Sequence, residues 1–156
     1  MHELPAGIAE IGESRIASAG VLHPGFTVGY PIASPHATPA YLPDHEPALG
    51  ARRFPPARDW TSGFDLAEGV DLLIHDAQYG TEEYADRVGW GHSAVEHTFA
   101  FAHLAAVRRL VTFHHDPAHR DADVDHPTAD AVTAASAPFT VTAGSEGAVF
   151  DLERRS

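Results

Sequence analysis

Apolar and polar positions alternate over residues 15–22 (RIASAGVL), with Ile16 and Leu22 apolar and Arg15 and Ser18 polar. That pattern predicts a strand, ended by Pro24-Gly25. Residues 26–32 (FTVGYPI) predict a second strand in which Pro31 marks an edge or an early end. A turn over 33–39 leads to a short third strand at 40–43. Residues 46–61 are rich in proline and arginine and predict an irregular loop, longer than connections usually are. A short helix is expected over 63–69. The apolar run 70–74, broken only by Asp71, predicts a buried strand. Thr81 is placed to cap a helix over 81–88. In 93–107, Val95, Phe99, Ala102 and Ala106 recur at helical spacing behind a Ser93–Glu96 capping-box pattern. Another buried strand follows at 109–113, then a helix at 128–137. Segments 139–143 and 148–152 are expected to close the fold as a hairpin. Strands alternating with helices in the second half predict α/β layering. With no internal repeat or linker, residues 1–156 form one domain.

Composition narrows the function. The chain has 156 residues and a formal net charge of −12, from 22 acidic residues against 10 basic ones, all arginine. Such a field repels phosphate backbones and argues against unaided binding of nucleic acid. The absence of cysteine excludes disulfides, thiolate zinc sites and cysteine nucleophiles, and fits a reducing, cytoplasmic compartment. No apolar run approaches a membrane span. The 12 histidines are the unusual feature.

Their placement matters more than their number. Four predicted strands run directly into His or Asp: one delivers His23, the next Asp44-His45, the next His75-Asp76, and the last His114-His115-Asp116. Layered α/β sheets bind ligands at strand ends. Imidazole and carboxylate are the donors that zinc, manganese and iron accept when thiolate is absent. A single histidine after a strand is ordinarily a surface or capping residue; four strand ends with the same chemistry point to a metal site. His75, His115, His119 and His126 read as surface residues or as groups behind the site, and His45 is open between the same roles. His97 and His103, inside a predicted helix, read as exposed or half-buried.

Five segments together resemble the metallo-β-lactamase-fold hydrolases, in particular the branch with phosphodiesterases and tRNA 3′-end-processing endonucleases. They are VLHPGFTVGYPI, AYLPDHEP, VDLLIHDAQY, GWGHS and RRLVTFHHDP, and they stand in the family's order. The resemblance implies an α/β fold, the C-terminal half of an αββα sandwich with a mixed sheet and outer helices. It implies metal-assisted hydrolysis, in which a pair of divalent ions, zinc or else manganese or iron, activates the attacking water. By the same resemblance His23 and His114 are metal ligands and Asp44 bridges. His92 acts beside the metal on substrate or leaving group, and Asp76 orients His92.

The family's H-x-H-x-D-H motif is absent; HHDPAH at 114–119 has the wrong order and spacing. His23, Asp44 and His114 fill only part of a two-metal ligand set, and a second ion is expected only with the missing half. The expectation is therefore a partial domain, weak or inactive by itself, that hydrolyses a phosphodiester or small ester once a complementary N-terminal polypeptide joins it. Pro31 also departs from the arginine the family often has after GY. The alternatives are a non-catalytic metal-binding module and a structural remnant that self-associates through an open sheet.

Overall fold

A computed structural model describes residues 7–55, 57–120, 122, 124, 128 and 138–152. Eight strands form a mixed sheet: β1 (Ile8–Ile11), β2 (Ser14–Ala17), β3 (Ala19–Val21), β4 (Thr27–Ala33), β5 (Pro39–Leu42), β6 (Leu72–Asp76), β7 (Arg109–Phe113) and β8 (Thr140–Ala143). The order is β1-β2-β4-β5-β6-β7-β8, with β3 also on β4. Pairing is antiparallel from β1 to β5 and parallel from β5 to β8. Helices α1 (Phe64–Ala67), α2 (Thr81–Tyr84) and α3 (Val95–Leu104) lie in the connections.

The strand expected over 15–22 is two pieces. Ile16 faces Ile32 and Ala19 faces Gly29, so one register runs through both and sets Ala17 opposite Pro31. Proline has no amide hydrogen to give the ladder, and pairing lapses there. On its other edge β2 pairs along its whole length with β1, Ala17 facing Ile8, a strand the sequence pattern does not show. Pro31 neither ends β4 nor marks an edge, because β4 continues to Ala33 with neighbours on both sides.

One sheet face carries Ala40, Leu42, Leu73 and Leu110, and these pack with Phe64 and Ala67 of α1 and Val95, Phe99, Phe101 and Ala102 of α3 into the main core. Helix α3 is buried nearly all round, His97 included, which corrects its expected exposure. Ala106 is exposed with φ 52°, so the chain leaves the helix in a left-handed turn and Ala106 joins no apolar face. On the other sheet face Tyr30, Tyr41 and Ile74 stay half-buried, with Tyr41 edge-on to the exposed Phe113 at 5.7 Å.

Other boundaries moved. Gly80, not Thr81, caps α2, and its amide donates to Glu83 Oε2 at 2.8 Å. Ala94 precedes α3 without a side-chain cap, and Ser93 has a different task described below. The expected hairpin is absent: β8 joins β7 in parallel and 148–152 is not a strand. Apart from Thr128, the helix expected over 128–137 lies outside the described residues, as does His126. Among the described residues no helix is long and apolar enough to cross a membrane.

Candidate functional site

The three adjacent parallel strands β5, β6 and β7 deliver their C-terminal residues to one rim. Asp44 stands two residues beyond β5, Asp76 ends β6, and His114 follows β7. His114 has φ 55°, a left-handed conformation rare for a side chain of its size, and it turns the chain sharply out of the strand. His92 arrives from the loop before α3. One ligand atom from each of Asp44, Asp76, His92 and His114 lies within 4.8 Å of the other three. Asp44 Oδ1 is 3.2 Å from His114 Nδ1. The rings of His92 and His114 stack with centroids 4.9 Å apart and planes 11° apart.

Asp76 is held completely. Its Oδ1 accepts from the amides of Gln78 at 3.1 Å and Ser93 at 3.0 Å. Its Oδ2 accepts from the amide of His45 at 3.3 Å and from His92 Nδ1 at 2.6 Å. Four donors occupy a carboxylate that offers about four lone-pair directions. Asp76 thus holds His92 Nδ1 with no lone-pair direction left over, and the donors open to a cation are Asp44 and Nε2 of His114, with His92 Nε2 beside them. Burial works against a charge on His92, but the hydrogen bond and charge of Asp76, joined by Asp44 and Glu46, raise its pKa above the ordinary imidazole value.

His23 lies against this group without joining it. Its ring meets His92 edge to face at 5.2 Å. Its Nδ1 accepts from the amide of Gly25 at 3.1 Å, so in the neutral ring the proton sits on Nε2. Ligation through Nε2 requires that proton to leave or the Gly25 contact to break.

Behind the rim is a layer the sequence reading placed at the surface or left open. His45 and His75 are fully buried. His75 Nδ1 donates to the Asp76 carbonyl at 2.7 Å, since a carbonyl can only accept. That leaves His75 Nε2 to accept from His45 Nδ1 at 2.8 Å. Burial lowers the pKa of both rings, that of His75 to about 4. The hydroxyl of Thr98 also donates to the Asp76 carbonyl, and that of buried Ser93 to the His45 carbonyl at 2.6 Å. Buried Glu46 and Tyr84 were missed outright. The one available signal was a carboxylate two residues after Asp44, opposite a glycine-rich segment. His119 sits apart, 2.9 Å from Glu83, and His103 is exposed on α3. An open groove of about 430 Å³ lies at the other end of the strands, against Arg15, Ile32, Pro39 and Val70, and touches none of these residues.

Comparison with known proteins decides the fold. YhfI from Bacillus subtilis, a metallo-β-lactamase fold protein, superposes with a TM-score of 0.70 at 19% identity, over 95% of this chain and 54% of that one. The chain has the metallo-β-lactamase fold. The short form of human tRNase Z matches with a TM-score of 0.56 at 21% identity, over 70% of this chain and 38% of that one. The ribonuclease Z of Brevibacillus brevis is 32% identical over 78 residues, 50% of this chain and 24% of that one. No family model matches. The chain thus spans about half the length, or less, of these proteins.

Proposed function

We propose that this metallo-β-lactamase-fold chain is part of a metal-dependent hydrolase acting on a phosphodiester or a related small ester. The observation that carries the reading is the convergence of Asp44, Asp76, His92 and His114 at the ends of parallel strands. Carboxylate oxygen and imidazole nitrogen suit zinc, and manganese or iron as well. A divalent cation there supplies Lewis-acid polarisation of the scissile group and activation of water. Asp44 and His114 hold it, and His23 is near enough to join after its Gly25 contact opens. A catalytic zinc usually takes three protein ligands. We therefore infer that a further polypeptide segment completes the ligand set and supports turnover. His92, fixed through Nδ1 by Asp76, presents Nε2 to the leaving group, and its raised pKa favours the protonated, donating form. The net charge of −12 favours small substrates over long nucleic acids.

The half-covered face of Tyr30, Tyr41, Ile74 and Phe113 favours a second reading, a module that binds metal without turnover and associates through this face. Zinc titration of the chain, with hydrolysis of bis(p-nitrophenyl) phosphate as the second readout, separates the two. Stoichiometric zinc that is lost in Asp44→Ala and His114→Ala supports the metal centre. Hydrolysis that disappears in His92→Ala at unchanged zinc content supports the enzyme. Zinc bound equally by all variants ends both readings of this site.

A further inference from the structure

Glu46 is 1% exposed, and its partners are neutral donors. Oε1 accepts from the Tyr84 hydroxyl at 2.7 Å and from the Gly89 amide at 2.7 Å. Oε2 accepts from the Gly91 amide at 2.9 Å. Gly89 and Gly91 have φ of 86° and 94°, which turns both amides toward the same carboxylate. Backbone N–H groups converging in this way make an anion cradle; here the chain's own side chain fills it. The other side of the turn is packed as tightly. A Cβ on Gly91 would stand 2.4 Å from His23 Cδ2 and 2.3 Å from Pro24 Cδ. Glu46 also donates its own amide to the Leu22 carbonyl at 3.1 Å. One residue thus ties the segment carrying His23, the loop carrying Asp44 and the turn that delivers His92.

We infer that Glu46 is a positioning residue of this site: through the Gly89 and Gly91 amides it sets where His92 stands against Asp44 and His114, without touching the reacting atoms. The inference rests on the proposed role of His92. Three donated hydrogen bonds replace the hydration that burial takes from the Glu46 carboxyl group.

Glu46→Gln keeps the shape, but its NH2 must face at least one backbone N–H. Glu46→Asp is too short to hold both glycine amides and stands in if the first variant does not fold. Tyr84→Phe removes one donor to Glu46 and leaves both glycine bonds, so it controls for lost stability alone. The first readout is the His92 Nδ1–H proton, followed by side-chain NMR on the full chain without metal. It should shift and exchange faster with water in the Glu46 variants and stay in place in Tyr84→Phe. The second is bis(p-nitrophenyl) phosphate hydrolysis by the zinc-loaded protein: kcat should fall about 10- to 100-fold at unchanged KM and zinc content. An unmoved His92 proton in a folded Glu46 variant overturns the inference, as does an equal shift in Tyr84→Phe. Absent hydrolysis by the wild-type chain alone is what an incomplete ligand set gives, and the NMR readout then decides the role of Glu46.

Discussion

His45 and His75 meet edge to face with centroids 5.0 Å apart, both fully buried, whereas His92 and His114 stack at 4.9 Å with 16% and 35% of their side chains exposed. The buried pair flanks the rim acids along the chain: His45 follows Asp44, and His75 precedes Asp76. Strand alternation separates them. His75 points to the core face with Leu73, and Asp76 points to the other face. The buried pair finds a carbonyl and another imidazole, and stays neutral. The rim pair finds a carboxylate for each ring. The same side chain is thus a structural hydrogen-bonding unit in one layer and a candidate chemical group in the next, and the partner of its second nitrogen decides which.

Substitutions should divide along this line. The largest effect is expected at Asp76, where both layers meet. Asp76→Ala leaves two buried amides, the half-buried amide of Gln78 and His92 without this acceptor, and should cost about 3–5 kcal/mol in urea unfolding. A loss under 1 kcal/mol would show that the layers are not joined through this carboxylate. His75→Ala opens a cavity and orphans His45 Nδ1, with an expected loss of about 2–4 kcal/mol and zinc affinity nearly unchanged. His114→Ala should do the reverse, changing stability by under about 1 kcal/mol while weakening zinc at least tenfold by calorimetry.

Acidity sharpens the contrast. The folded pKa of His75 is lowered to about 4 from an unfolded value near 6.5, so its contribution is complete above 6.5 and is lost as pH falls toward 4. That amounts to about 3 kcal/mol from this ring alone. His92, whose pKa is raised, has the opposite sign: its contribution is present below 6.5 and is lost as pH rises through its folded value. Unfolding free energies at pH 5 and 7 should therefore differ less in His75→Ala than in the wild type, and an unchanged difference would remove His75 from the account. The smallest effect is expected far from both layers. Ile11→Thr on β1, already 57% exposed, should stay within about 0.5 kcal/mol.

The rim was more legible than the layer beneath it. Asp44, His92 and His114 stand at strand ends or in a glycine-rich loop, where sequence signals are strong, and the strands at 40–43, 70–74 and 109–113 were found within two residues at each end. His45, His75 and Glu46 were not found as buried residues. Their side chains read as surface chemistry until the groups that satisfy them are in place, and those groups come from distant segments: Thr98, Tyr84, Gly89 and Gly91. The break opposite Pro31 had a visible cause but no visible position, because only the register against β4 sets Ala17 opposite the proline.

By itself the sequence determined the α/β layering, the strands with their acid and imidazole termini, and a composition without cysteine or lysine. These follow from local periodicity and residue chemistry, which need no knowledge of neighbours. Only the tertiary structure decided which histidines are neutral and buried, that Asp76 is saturated by four donors, and that Glu46 lies beneath the His92 turn. Those outcomes depend on which hydrogen-bonding groups meet across the fold. A buried polar atom is stable only when its partner arrives, and that partner is set by packing over long chain separations.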